Sequence, residues 1–190
     1  MTRVAALLAV AAFATAGATT WPAPQNAMQL TRKAGLTPET HEFVFLHVHS
    51  HLDVFVKGKK LRVPAGIGIN INDPAVRRYL LPDGTLGYGG ISPPCAKPCI
   101  SPLHTHFDDG ILHTEAKEHQ FNHLGQFFVE WHVRLTRNCV ASYCKPKTKI
   151  AVYVDGKKAT GDPRTIQLQD KREIAIIVGK PPAHIPSKFP

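Results

Sequence analysis

The segment Phe43–Val56 reads FVFLHVHSHLDVFV, and this stretch decides the fold. It is rich in Val, Phe and Leu and alternates between apolar and polar residues, so it is predicted to form one long β-strand or two strands joined by a bend. Because successive side chains of a strand point to opposite faces, His47, His49 and His51 share one face. The apolar residues around them mark the opposite face as the core side.

A second segment, Leu103–Glu115 (LHTHFDDGILHTE), repeats this spacing on both sides of a turn. Its Asp-Gly step predicts two strands, with His104 and His106 on the first and His113 and Glu115 on the second. Opposed residues in such a pair have Cβ atoms about 4.5–5.5 Å apart, which is close enough for His106 and His113 to share an ion. The candidate metal ligands are therefore His47, His49, His51, His104, His106, His113 and Glu115.

This ligand set indicates one divalent transition metal ion. Imidazole and carboxylate ligands without thiolate suit Zn, Cu or Fe, and the sequence does not choose among them. Asp108 and Asp109 lie in the turn between the two strands and are predicted to orient the ligands or to act as general bases. A histidine-rich surface that responds to pH without binding metal is the alternative.

Other segments predict more strands and two helices. Apolar positions recur at helical spacing within Asn122–His132, which predicts a helix with an aromatic stripe in the core and Asn122 as its N-cap. Asp73 followed by proline predicts a short helix that ends at Pro82. Further strands are predicted at Leu61–Val63, Gly66–Ile71, Lys149–Asp155, Thr165–Leu168 and Glu173–Val178. The pattern predicts an α+β, β-dominated fold, with a single mainly antiparallel sheet, sandwich or barrel and one or two covering helices.

The N-terminus has the pattern of a secretory signal peptide. A short basic start precedes the apolar run Val4–Phe13 and small residues, with cleavage expected after Ala16 or Ala18. The run is shorter than the roughly 20 residues that span a bilayer. We therefore expect residues 1–18 to be a signal peptide, 19–40 a flexible tether and 41–190 a single metal-binding domain. That domain is expected to be secreted or extracytoplasmic, with no transmembrane segment.

The four cysteines are Cys95, Cys99, Cys139 and Cys144. An oxidising compartment and an even cysteine count favour two disulfides, and the sequence leaves all pairings open. A four-cysteine zinc site is the alternative, although neither C-x3-C nor C-x4-C is the usual zinc-binding spacing of C-x2-C. We expect disulfides.

The chain is basic, with 23 Lys and Arg against 14 Asp and Glu and a formal net charge of +9. In an exported protein this charge does not indicate nucleic acid, and many of the lysines fall in predicted turns, where solvation explains them. We expect the metal ion to be the main partner, with weak contact to anionic cell-envelope polymers.

Three blocks of the sequence, HVHSHLDVFV, LHTHFDDGILHTE and LGQFFVEW, resemble a family of exported, histidine-rich bacterial and archaeal proteins. Members of that family carry an HxHxHL strand, an LHTHDxxGx[IL]HxE segment and an LGQFFxxW helix. The resemblance runs from His47 to Val178 and implies no activity, because the family is uncharacterised. In this chain Phe107 stands where the family has an acid directly after HTH, and Asp108 follows one residue later.

Three functions fit these features. A metal-binding protein would capture, buffer or deliver a transition metal ion. A metal-dependent enzyme, such as a zinc hydrolase or an oxygen-dependent iron or copper enzyme, would use the same ligands. A cell-envelope interaction module would use the histidines without metal. Histidines repeated at strand spacing in two segments favour the first, and no catalytic residue is identified.

Overall fold

The computed structural model describes residues 21–190, so the predicted signal peptide lies outside the described residues. Helices and strands are short, apart from one long strand that carries the first histidine segment. In chain order the elements are α1 (Ala27–Lys33), β1 (Leu46–Val56), β2 (Lys59–Leu61), β3 (Arg77–Leu80), β4 (Leu86–Gly89), β5 (Leu103–His104), β6 (Ile111–Ala116), α2 (Leu124–Glu130), β7 (Cys139–Val140), β8 (Tyr143–Cys144), β9 (Ile150–Val154), β10 (Lys157–Lys158), a 3-10 helix (Pro163–Thr165) and β11 (Arg172–Val178).

Seven strands form one open sheet in the order β10-β9-β11-β1-β6-β5, and β2 also pairs with β1. The first half of β1 pairs with β6 in antiparallel register, and the second half pairs with β11 in parallel register. The other pairs of this sheet are antiparallel. The predicted α+β, β-dominated fold with a mainly antiparallel sheet is confirmed, and the sheet does not close into a barrel.

One face of β1 packs against α2, as the alternation of the sequence predicts. The buried cluster on this face combines β1 residues with the aromatic stripe of the helix: Leu52, Val54, Val56, Phe127, Phe128 and Trp131. Burying each such side chain contributes about 1.5–3 kcal/mol, so this contact fixes which face of β1 is the core side. The predicted helix begins later than expected, because Asn122 donates its side-chain amide to the hydroxyl of Thr114 instead of capping the helix.

The opposite face of the main sheet carries the histidines and a small apolar cluster. Phe55, Ala175 and Ile177 are buried there, with Tyr153 and Ile185 packed against them. Ile185 belongs to the C-terminal segment, which therefore covers part of this face. The histidine positions nearer the start of β1 lie beyond that apolar cover.

The short helix predicted after Asp73 is wrong. The carboxylate of Asp73 accepts a hydrogen bond from the amide of Ala75 at 3.0 Å, and its carbonyl accepts one from the amide of Val76 at 3.0 Å. This local turn competes with helix formation. The chain then enters the β3–β4 hairpin, which pairs from Arg77 to Gly89.

Residues 21–40 also differ from the flexible tether that we expected. Helix α1 buries Leu30 and Thr31 and packs against α2. The indole nitrogen of Trp131 donates to the carbonyl of Trp21 at 2.9 Å, and the two rings meet edge to face. The segment is therefore part of the folded domain, because burial of its aromatic and apolar residues holds it against the rest of the chain despite its prolines.

Two further segments predicted as strands are turns, each of which makes one isolated β-bridge. In Gly66–Ile71 only Ile69 makes a bridge, to Ile100, and in Thr165–Leu168 only Gln167 does so, to His123. The four cysteines form two local disulfides, Cys95–Cys99 and Cys139–Cys144, and none is free. The disulfide prediction is thus confirmed, and its pairing is local.

Candidate metal centre

Strand register brings the two histidine segments together on one face of the sheet. In the β1–β6 pair His47 lies opposite Glu115 and His49 lies opposite His113. In the β5–β6 pair His104, rather than His106, lies opposite His113. The ladder ends at His104, and His106 lies in the turn that follows. His113 is therefore flanked by a histidine on each neighbouring strand.

Four of the predicted ligands form an inner group, defined as His104, His106, His113 and Glu115, whose ligand atoms all lie within 4.8 Å of one another. The Nε2 atoms of His104 and His106 are 3.1 Å apart. An oxygen of Glu115 lies 3.2 Å from Nδ1 of His113 and 3.7 Å from Nε2 of His106. His104 is 1% exposed, so the group extends from the interior toward the surface.

Two backbone carbonyls fix the tautomers of His104 and His106. Nδ1 of His104 donates to the carbonyl of Ser101 at 2.8 Å, and Nδ1 of His106 donates to the carbonyl of Tyr88 at 2.7 Å. A neutral imidazole that carries its proton on Nδ1 presents a lone pair at Nε2. The two Nε2 atoms that face each other are therefore both acceptors unless a proton or a cation lies between them.

A glycine makes the contact between His106 and Tyr88 possible. A Cβ atom at Gly89 would lie 2.5 Å from Nδ1 of His106, and the residue has a positive φ of 147°. A side chain at this position would collide with the ring and favour a different backbone conformation. The end of β4 thus helps to orient a predicted ligand that lies on a different strand pair.

Electrostatics in the inner group favour an ionised carboxylate beside a neutral buried imidazole. Burial alone would raise the pKa of Glu115, but contacts with His106 and His113 hold it well below its usual range. Burial, followed by the charge of His106, places the pKa of His104 well below its ordinary value. Burial would also lower the pKa of His106, yet the Glu115 carboxylate raises it. The Glu115 carboxylate thus favours positive charge at the position next to it, where the ring of His106 lies.

A second group shares His113 with the first and is closer to solvent. His47, His49 and His113 also place one ligand atom each within 4.8 Å of the others. His47 is 42% exposed, and its Nε2 lies 3.1 Å from an oxygen of Glu115. We call His47 and His49 the outer pair.

The structure places His51 apart from the other predicted ligands. Its Nδ1 lies 2.6 Å from a carboxylate oxygen of Glu173, and its Nε2 lies 3.1 Å from the carbonyl of Asp109. Both ring nitrogens of His51 thus face oxygen atoms outside the inner group, and hydrogen bonds to Glu173 and to the Asp109 carbonyl hold the ring there. Burial would lower the pKa of His51, but the bond to Glu173 raises it. With Asp53 and Glu173, His51 forms a separate buried group that could also hold a metal ion.

Asp108 and Asp109 do not face the inner group. The carboxylate of Asp108 pairs with Arg62, and that of Asp109 accepts from the backbone amide of Ile111 at 2.9 Å. The groups that orient His104 and His106 are the carbonyls of Ser101 and Tyr88, as described above. Sequence reasoning missed them, because backbone carbonyls leave no residue pattern.

Sequence reasoning also missed a buried carboxyl group in α2. Glu130 is fully buried, and neither of its oxygens has a hydrogen-bond partner of good geometry among the described residues. Burial raises its pKa to about 8, although the hydroxyls of Ser101 and Thr31 partly oppose the shift. The helical spacing could have predicted that Glu130 is buried, because it lies three residues after Phe127 on the buried face of α2.

No protein-family model, curated protein or solved structure matches this chain. Across residues 21–190 no helix combines the length and apolar character needed to cross a membrane. The function is therefore inferred from the geometry of the site itself.

Proposed function

We propose that this protein binds a divalent transition metal ion through His104, His106, His113 and Glu115, and that it captures, buffers or delivers that ion. One observation carries the proposal: the Nε2 atoms of His104 and His106 face each other across 3.1 Å, while both Nδ1 atoms donate to backbone carbonyls. Metal-binding histidines usually donate their other ring N–H to a carbonyl or carboxylate, as His104 and His106 do.

Spacing within the inner group suits a small cation. Metal–nitrogen bonds of about 2.0–2.1 Å in a tetrahedron separate the ligand atoms by about 3.3 Å. The contacts within the group are 3.1, 3.2, 3.7 and 3.9 Å. Three imidazoles and one carboxylate without thiolate fit Zn(II), Cu(II) or Fe(II), and small side-chain rotations would bring the donors to bonding distance.

The proposed place of action is outside the cytoplasm. Two disulfides and the absence of free cysteines support an oxidising compartment. The signal-peptide pattern of the sequence points the same way, as does the resemblance to exported histidine-rich proteins, which belongs to this proposal. Contact with anionic envelope polymers stays a prediction that rests on the basic charge alone.

Elemental analysis and calorimetric titration test the proposal directly. The protein, purified without an affinity tag and stripped with a chelator, is titrated with Zn(II) and Cu(II). We expect at least one of these two metals to bind tightly. The His104→Ala/His106→Ala variant should lose this tight site. Elemental analysis of protein from its native compartment identifies the metal.

A matched control uses two exposed histidines outside the site. The His132→Asn/His184→Ala variant removes the same number of imidazoles, and Asn tolerates the left-handed backbone of residue 132. We expect this control to bind like the unaltered protein. If the unaltered protein holds only trace metal and binds none on titration, the proposal fails.

A further inference from the structure

The outer pair is not needed for the four-ligand site, yet its rings are arranged like ligands. Nε2 of His47 lies 2.8 Å from Nε2 of His49 and 3.1 Å from an oxygen of Glu115. Both histidines lie on the same face of β1, two residues apart, and their rings contact each other edge to face. Their convergence therefore needs its own explanation.

Counting protons shows that hydrogen bonds alone satisfy these contacts poorly. A ring nitrogen carries either one proton or one lone pair, so Nε2 of His47 makes one well-aligned hydrogen bond at a time, or shares one proton weakly between Glu115 and His49. If it donates to Glu115, it presents no lone pair to a proton on His49. If it accepts from His49, its lone pair faces the ionised oxygen of Glu115. A cation among the three atoms would attract all of them at once.

Glu115 and His113 connect the outer pair to the inner group. One oxygen of Glu115 lies 3.1 Å from His47 Nε2, 3.2 Å from His113 Nδ1 and 3.7 Å from His106 Nε2. His113 has a ligand atom in both groups. A carboxylate has two oxygens and about four lone-pair sites, so one glutamate has the donor capacity to contact two ions.

We propose that His47 and His49 form a second, solvent-accessible transition-metal site that shares Glu115 or His113 with the inner site. This inference rests on the proposed function and adds a second ion to it. The donor set of imidazole nitrogens and a carboxylate oxygen selects the same class of metal, Zn(II) or Cu(II). Because His47 is 42% exposed, water completes the coordination of the outer ion, which exchanges faster than the inner one.

Stoichiometry of the untagged, chelator-stripped chain tests the inference with Zn(II) and Cu(II) alone. We expect two ions per chain, one tight and one weaker. The His47→Ala/His49→Ala variant should keep the tight ion and lose the weaker one. The His132→Asn/His184→Ala control should bind two ions, as the unaltered protein does.

The outcomes separate this inference from the proposed function. One tight ion in the unaltered protein overturns the second site and leaves the first intact, whereas no bound ion overturns both. Two ions that persist in the His47→Ala/His49→Ala variant place the second ion elsewhere and also overturn the inference.

Paramagnetic resonance of the protein loaded with two Cu(II) ions tests the shared ligand. Two Cu(II) ions joined by one carboxylate, or by an imidazolate ring that has released its N–H proton to solvent, couple magnetically, so we expect the spin count to fall below the copper content. Loading the His47→Ala/His49→Ala variant with one ion should restore a full, uncoupled signal. A full, uncoupled signal from two ions in the unaltered protein would contradict a shared ligand.

Discussion

At the scale of single residues, hydrogen-bond partners distinguish the buried histidines from one another. His104 and His51 are both buried histidines on the same face of the sheet. The Nδ1 atom of His104 donates to one carbonyl and its Nε2 remains an acceptor, whereas both nitrogens of His51 face acceptors. The spacing in the sequence is the same for both residues, and only the structure shows that they have different hydrogen-bond partners.

Glu130 gives a prediction about stability and pH. Its pKa is raised from 4.5 to about 8 in the folded protein because it is fully buried. Because the pKa of Glu130 is higher in the folded than in the unfolded chain, ionisation of this carboxyl group destabilises the fold. The free energy of unfolding is unaffected below the unfolded pKa and falls as pH rises toward the folded pKa. The loss is about 1.4 kcal/mol per pH unit between those two values.

The Glu130→Gln variant should remove this pH dependence. We expect the variant to gain stability relative to the unaltered protein as pH rises from 5 to about 8.5, by several kcal/mol in the free energy of unfolding. Denaturant unfolding at both pH values measures the difference. The exposed Glu118→Gln variant is the control, and parallel pH profiles for Glu130→Gln and the unaltered protein would contradict the prediction.

At the scale of elements, the end of β4 supports a ligand that belongs to another strand pair. Gly89 lies directly after Tyr88, whose carbonyl orients His106. The residue has no side chain that contacts a metal ion, yet its missing Cβ leaves the space that the imidazole ring occupies. This makes the β3–β4 hairpin part of the site although it is outside the main sheet.

The Gly89→Ala variant should weaken metal binding by displacing His106. The loss of an orienting contact of this kind typically costs about 10–100-fold in metal affinity, and we expect a decrease in that range on titration with Zn(II). Gly84→Ala is the matched control, because Gly84 also has a positive φ but a Cβ there meets nothing within 4 Å. Equal affinities in the two variants would show that Gly89 does not act through His106.

Period-two patterning predicted the strands that carry the site, and it did so for a physical reason. Alternation along β1 and β6 fixes which face each residue occupies, so the common face of His47, His49, His113 and Glu115 followed from spacing. The parallel neighbour β11 did not, because strand order depends on long-range packing. Asp73 shows a local limit, since the same side chain caps a helix or closes a turn.

At the scale of the whole molecule, the inner ligands come from two consecutive strands, β5 and β6, and from the turn between them. His104 and His106 belong to β5 and its following turn, whereas His113 and Glu115 lie on β6. An ion bound among them bridges these elements in the folded state only. Binding should therefore stabilise the native fold, because the unfolded chain does not hold the ligands together.

Zn(II) should raise the thermal midpoint of the protein. Free ion at one hundred times its dissociation constant adds about 2.7 kcal/mol, which corresponds to about 5–10 °C for a chain of this size. Differential scanning calorimetry measures the shift, and a chelator should reverse it. The His104→Ala/His106→Ala variant should show no shift from the inner ion, and an unchanged midpoint in the unaltered protein at saturating Zn(II) would refute the prediction.

The row His49, His113 and His104 crosses three neighbouring strands at matched positions. A slip of one residue between β1 and β6 would turn one set of side chains to the core face and separate these imidazoles. Metal affinity therefore reports on the alignment of backbones that contain no ligand atoms themselves. A chain with β1 and β6 out of register would form a sheet of similar shape but would not bring the imidazoles together, so binding of the proposed ion would distinguish the correctly paired sheet from such alternatives.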